Sequence, residues 1–182
     1  VFVGELDEAD ISRPLIFSAH GVAAAVVSRA REMGFGILID ATCPLVDKVH
    51  RQIRKYAENN MNIVVIGKTE HPEIIGTVGQ LSDTSKVRII KSVLEAADLP
   101  FNSDDPLGFV TQTTLSVDET QEIVSALHKK YPLLSGLKKD DICYATTNRQ
   151  IAVREVAARS RIVVIIGSKN SSNSRQLKEV AL

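Results

Sequence analysis

The 182 residues carry 22 basic and 22 acidic side chains, a formal net charge of zero, and 44% of them are apolar. That composition fits one or two globular domains and excludes a disordered chain; it also lacks the basic excess of a dedicated nucleic-acid binder. No apolar run approaches the roughly 18 residues of a membrane-spanning helix, so a soluble protein is expected.

Leu15, Ile16 and Phe17 form a short apolar run that ends at Ser18–Ala19–His20–Gly21. Val22, Val26, Val27 and Ala30 then recur at helical spacing until Gly34, which reads as strand, polar loop and helix. The unit returns at Ile37–Leu38–Ile39, followed by Asp40–Ala41–Thr42–Cys43 and by Pro44 at a first helical position. Val46, Val49, Ile53 and Tyr56 make the apolar stripe of that helix. Ile63–Val64–Val65–Ile66–Gly67 leads into Lys68–Thr69–Glu70–His71 and a short helix from Pro72.

Val87–Arg88–Ile89–Ile90 leads to Ser92-x-x-Glu95, a capping box, and Leu107–Gly108–Phe109–Val110 leads to Thr111–Gln112–Thr113–Thr114 and a second box at Ser116-x-x-Glu119. After a loop rich in Lys, Gly and Asp, Cys143 precedes a Thr147-x-x-Gln150 cap and a helix to about Arg159. A strand is then expected over residues 161–166, followed by Gly167–Ser168–Lys169–Asn170–Ser171–Ser172–Asn173 and a further helix. Continuous β-branched runs such as residues 162–166 read as strands buried on both faces, so the class is α/β with parallel sheets sandwiched by helices. In such sheets ligands bind outside the carboxyl ends of the strands, and every unusual polar segment occupies that position.

Each polar loop admits two readings. Cys43 and Cys143, far apart in sequence and each directly before a helix, sit where amides and the helix dipole favour a metal-ligating thiolate; equally, they serve as buried apolar fillers in a reducing compartment. His71 with Glu73 combines an imidazole and a carboxyl suited to proton transfer, or caps a helix. His20 also follows a strand, whereas His50 and His128 lie within helices and are expected to cover surface or pack locally. Residues 168–174 offer neutral donors for phosphate oxygens at a helix terminus, or a Ser/Asn-rich turn chosen for capping; the glycine spacing of a Walker loop is missing. Thr113 faces the same rim or merely ends a strand.

Taken together, Ala19–His20–Gly21–Val22, Ala41–Thr42–Cys43–Pro44–Leu45–Val46, His71–Pro72–Glu73, Thr111–Gln112–Thr113–Thr114–Leu115–Ser116, Cys143–Tyr144–Ala145–Thr146–Thr147–Asn148–Arg149–Gln150 and Gly167–Ser168–Lys169–Asn170–Ser171–Ser172–Asn173–Ser174 resemble the 4-hydroxy-3-methylbut-2-enyl diphosphate reductase (IspH/LytB) family. Six motifs in order across essentially the whole chain carry the resemblance. It implies an oxidoreductase of the non-mevalonate isoprenoid pathway that removes the allylic hydroxyl of its diphosphate substrate as water, giving isopentenyl and dimethylallyl diphosphates. It implies a [4Fe–4S] cluster held by three cysteines, of which Cys43 and Cys143 match two. The third is expected upstream of Val1 with a further substrate histidine, and a further diphosphate-binding serine downstream of Leu182.

By the same resemblance His20, His71, Ser171, Ser172 and Asn173 bind the diphosphate, Glu73 delivers a proton, and Thr113 relays or positions it. The family's fold is a set of three-layer parallel-sheet lobes around a central cavity. Residues 1–43 are expected to end the first lobe, 44–139 to form the second and 140–182 to begin the third. A ferredoxin or flavodoxin donor and a bacterial cytoplasmic or plastid location are implied.

Val1 in place of Met and a last helix that stops after about two turns lead to the expectation of an internal piece of a longer protein, inactive alone. Two readings of other classes stand beside this one. The first is a non-catalytic α/β module that binds a phosphorylated ligand through residues 168–174, with structural cysteines. The second is a zinc site of Cys43, Cys143 and His71.

Overall fold

The computed structural model describes residues 1–136 and 143–182. After a single 3-10 turn at Leu6–Glu8, the chain alternates β1 (Leu15–Phe17), α1 (Ala24–Glu32), β2 (Leu38–Asp40), α2 (Pro44–Glu58), β3 (Asn62–Ile66), α3 (Pro72–Val78), β4 (Val87–Ile90), α4 (Val93–Ala97), β5 (Leu107–Thr111), α5 (Val117–Lys130), β6 (Ser135–Gly136), α6 (Tyr144–Arg159) and α7 (Ser172–Val180). All pairings are parallel. β1 pairs with β2, and a four-stranded sheet runs in the order β4-β3-β5-β6.

The central strand β3 is apolar at every inner position because it is covered on both sides, as a parallel sheet between helices requires. Ile63 and Val65 point to one side, where Val49, Ile53 and Tyr56 of α2 and Ile74 of α3 pack with Val110. Val64 and Ile66 point to the other, against Ile90, Leu107, Phe109 and the Ile123, Leu127 and Tyr131 of α5. Ile53, Val64 and Leu127 have no exposed surface, and burial of such a side chain contributes about 1.5–3 kcal/mol. The i, i+3, i+4 spacing of Val46, Val49, His50, Ile53 and Tyr56 turns one face of α2 inward. β3 and β5 end level, with Ile66 opposite Thr111. The loops that begin at Gly67 and Gln112 therefore start side by side.

Two expectations are corrected. Residues 161–166 do not form a strand: Ile162, Val164 and Ile166 are 82%, 76% and 93% exposed. A strand needs a hydrogen-bonded neighbour, and among the described residues none lies beside this segment. Second, α6 begins at Tyr144 with Cys143 as N-cap, so Thr147 lies in its first turn. Gln150 instead points inward: Nε2 donates to the Leu115 carbonyl at 2.9 Å and Oε1 accepts from the Val117 N–H at 3.2 Å. Beyond these, β6 joins the sheet beside β5 without an apolar run of its own to announce it. Much of the Lys/Gly/Asp-rich loop before Cys143 lies outside the described residues. The box at Ser92 forms with a shift: Ser92 Oγ accepts from Glu95 N–H, while the Glu95 carboxylate accepts from the Lys91 N–H one residue earlier.

Candidate functional site

His20, Cys43, His71, Glu73 and Thr113 follow the carboxyl ends of β1, β2, β3 and β5, and several of them meet. His71 is the N-cap of α3, and its Nδ1 accepts from the Glu73 N–H at 3.2 Å. That bond makes Nδ1 an acceptor, so the neutral ring carries its hydrogen on Nε2. Burial, then the neighbouring His20, Arg175 and Lys68, lower the His71 pKa to about 4. His71 is therefore a neutral donor at physiological pH. The exposed His20 meets it edge-on, with ring centroids 5.5 Å apart.

Pro72 at the first helical position and Ile74 in the core turn Glu73 inward, where it is 1% exposed. Both carboxyl oxygens bond to one residue across the sheet top: Thr113 N–H donates to Oε1 at 2.7 Å, and Thr113 Oγ1 lies 2.9 Å from Oε2. Burial raises the Glu73 pKa, and the two Thr113 bonds pull against that rise without reversing it. No cation pairs with this carboxyl among the described residues. A buried, unpaired carboxyl whose proton is held above the ordinary range is the chemistry of a general acid.

The loop carrying His20 is fixed by close packing. Gly21 has φ +74°, and a Cβ there would lie 2.5 Å from the His50 ring; Gly76 of α3 lies against its backbone, where a Cβ would meet the Gly21 carbonyl at 3.0 Å. His50, expected to pack locally, does so, buried under this turn. Cys43 is held beside it, since its N–H donates to the Ala19 carbonyl. Asp40 accepts from both the N–H and the hydroxyl of Thr42 just before, bonds that hold the Asp40 carboxyl below its ordinary pKa.

Cys43 and Cys143 are half-buried free thiols, each the N-cap of a helix with no side-chain capping bond. They match in kind two thiolate donors of an iron–sulfur cluster. Among the described residues no three His, Cys, Asp or Glu side chains are gathered to hold a metal ion, and the zinc reading through Cys43, Cys143 and His71 gains no support.

Ser171 caps α7 by accepting from Ser174 N–H, Ser172 is buried at its first position, and Asn173 holds a buried Oδ1 with no partner among the described residues. Helix-terminal amides and small polar side chains together suit an anion. Sequence reasoning gave no role to Gln112, Lys68 or Arg175, and read Gln150 only as part of a helix cap. Gln112 was visible inside the Thr-rich motif, but its burial depends on β3 and β5 ending together. Lys68 and Arg175 line one cleft between the end of β3, α5 and α7, a proximity that only the fold creates.

The family model described as LytB protein matches residues 1–182. The chain is 50% identical over 182 residues to the 4-hydroxy-3-methylbut-2-enyl diphosphate reductase of Actinobacillus pleuropneumoniae serotype 5b and 50% identical over 181 residues to that of Ruegeria pomeroyi. In each case all of the chain is covered, and it spans 58% and 57% of the relative's length. It superposes on the solved E-1-hydroxy-2-methyl-but-2-enyl-4-diphosphate reductase of Plasmodium falciparum with a TM-score of 0.91 at 36% identity, covering 100% of this chain and 56% of that one. A second solved structure, a diphosphate reductase described as the terminal enzyme of the non-mevalonate pathway, gives a TM-score of 0.70 at 28% identity, covering 98% and 62%.

Proposed function

The chain belongs to the LytB protein family, and from that premise we propose that it is the central part of a 4-hydroxy-3-methylbut-2-enyl diphosphate reductase. The reaction takes up two electrons and two protons, breaks the allylic C–O bond, and releases water with isopentenyl or dimethylallyl diphosphate. The observation that carries this reading is the buried Glu73 carboxyl held through both oxygens by Thr113.

Departure of hydroxide from carbon is slow unless the oxygen is protonated as it leaves. The protonated Glu73 supplies that proton. When Oε2 carries it, Oε2–H donates to Thr113 Oγ1, and the Thr113 hydroxyl hydrogen is free to point at the substrate oxygen. Thr113 then gives its hydrogen to the leaving hydroxyl as it receives the one from Glu73. The Thr113 N–H stays on Oε1 throughout and stabilises the carboxylate that remains.

His20, neutral His71, Ser171, Ser172 and Asn173 hold the diphosphate. Converging neutral donors desolvate it without requiring a basic surface, which suits a chain of zero net charge. Lys68 and Arg175 add positive potential behind His71. Cys43 and Cys143 would hold two positions of a [4Fe–4S] cluster, which when bound supplies the electrons and a Lewis-acidic iron for the leaving oxygen. The third cysteine, one further histidine and one further serine belong to the rest of the protein.

Residues 1–43, 44–139 and 140–182 are read as parts of three successive lobes facing a shared cavity. The electron donor is a ferredoxin or flavodoxin, and the protein works in a bacterial cytoplasm or plastid stroma. No helix among the described residues is long and apolar enough to cross a membrane.

The test is anaerobic iron and sulfide quantification on the full-length protein with its Cys43→Ser and Cys143→Ser variants, alongside reduction of the allylic diphosphate. About four irons in the parent, lost together with turnover in both variants, supports the reading. Parent protein without iron, or serine variants that keep it, removes the cysteines from their role.

A further inference from the structure

One side chain to which no role has been given joins three of the loops that carry the site. Gln112 has no exposed surface. Its Oε1 accepts from the Lys68 N–H at 3.1 Å, at the start of the loop leading to His71 and Glu73. Its Nε2 donates to Thr114 Oγ1 at 2.9 Å, in the loop of Thr113, and to Ser172 Oγ at 3.3 Å, at the first turn of α7.

The Lys68 N–H can only donate, so the atom facing it must be the amide oxygen, and that fixes which end of the amide faces Ser172. Nε2 carries two hydrogens, one for each hydroxyl. Ser172 Oγ is therefore an acceptor from Gln112, and its own hydrogen must go to another group. Ser172 is 6% exposed, which leaves few rotor positions for that hydrogen.

We propose that Gln112 is a positioning residue that orients the Ser172 hydroxyl, by occupying one of its two acceptor lone pairs, so that its hydrogen is presented to a diphosphate oxygen. The inference rests on the reading of Ser172 as a diphosphate ligand. A hydroxyl free to rotate loses orientational freedom on binding and spends part of its time donating elsewhere; one already committed as an acceptor from Gln112 does not. The backbone N–H of Lys68 sets the orientation, so the arrangement survives side-chain motion of Lys68 itself.

The test is calorimetric titration of inorganic pyrophosphate into the full-length protein, its Gln112→Leu and Ser172→Ala variants, and the double variant. Gln112→Leu keeps the size of the side chain and removes its bonds. Each single change is expected to weaken binding by about tenfold, the scale of one hydrogen bond. The double variant should bind no worse than Ser172→Ala alone, because Gln112 acts through that hydroxyl.

A purely structural tie would instead make the two factors multiply, and that result overturns the proposal. So does near-parental binding by Gln112→Leu when Ser172→Ala is impaired. Should the parent fail to bind pyrophosphate, or Ser172→Ala bind as tightly as the parent, the diphosphate reading of Ser172 falls first and this inference with it. Where Gln112→Leu fails to fold, Gln112→Glu serves. One of its oxygens still accepts from Lys68 N–H, but the other draws the Ser172 hydrogen away from the ligand. Its binding should be weakened at least as much as in Gln112→Leu, and parental affinity would overturn the proposal.

Discussion

Replacing Thr113 by Val keeps the shape of the side chain and deletes the hydroxyl that holds Glu73 Oε2 at 2.9 Å. The Thr113 N–H on Oε1 remains. For an ionised Glu73 the deletion removes a hydrogen bond to a buried charge, at a cost of about 1.5–3 kcal/mol; for the protonated acid it removes a neutral bond, about 0.5–1.5 kcal/mol. Burial raises the Glu73 pKa, so protonation shelters the variant at low pH and not at high pH. Urea unfolding of full-length parent and variant at two pH values, one on each side of the Glu73 titration, should show a stability loss larger by about 1 kcal/mol or more at the higher pH. An equal loss at both values, or a larger one at low pH, would refute the argument that the Thr113 hydroxyl carries the Glu73 charge. The same variant should retain its iron and lose turnover.

Gly21→Ala must place a Cβ at φ +74° and 2.5 Å from the His50 ring. The backbone term alone costs about 1–2 kcal/mol, and shortening His50 to Ala in the same protein should recover the steric part; a thermal melt of both variants decides. Gln150→Leu leaves the Val117 N–H and the Leu115 carbonyl without their partner. The expected loss is about 1–3 kcal/mol in urea unfolding, and an unchanged midpoint would mean the two groups are satisfied in another way. His71 is the pH-linked case. Its pKa falls from 6.5 in an unfolded chain to about 4 in the fold, so the unfolded chain binds the proton more readily between those values. Its stabilising effect is complete above 6.5 and is lost as pH falls toward 4. His71→Asn should therefore flatten the stability profile over that window, while a slope unchanged from the parent would contradict the assignment; His50, also shifted downward by burial, keeps part of the slope in both proteins.

The sequence was legible where local chemistry and tertiary packing agree. The stripe of α2, the Pro44 and Pro72 helix starts and the Ser116 cap all follow from patterns within a few residues of each other. Residues 161–166 misled because an apolar β-branched run states only that a segment suits a sheet; the neighbour that completes the ladder is a property of the whole fold. Thr147 and Gln150 misled in another way. Their spacing satisfies a capping box, but the helix had already started at Tyr144, and Gln150 is drawn inward to satisfy backbone groups at the start of α5.

Within the site, single residues gave balanced alternatives and the resemblance tipped them. The fold then supplied what spacing could not. It brings Glu73 to Thr113 across 40 positions of sequence and Gln112 to Ser172 across 60. It also buries His71 beside His20, Arg175 and Lys68, which keeps its ring neutral. A glutamine between two threonines carries no local signal, because its importance comes from three loops meeting over the ends of two strands.

The most direct measurement of the central claim is turnover of the full-length Glu73→Gln protein, assayed anaerobically with its iron content measured on the same sample. Glutamine keeps the size of the side chain and an acceptor for the Thr113 N–H but has no carboxyl proton to give. The account predicts iron equal to the parent and a rate reduced about 10²–10⁴-fold. A Glu73→Gln protein that holds its iron and turns over at the parental rate would contradict it.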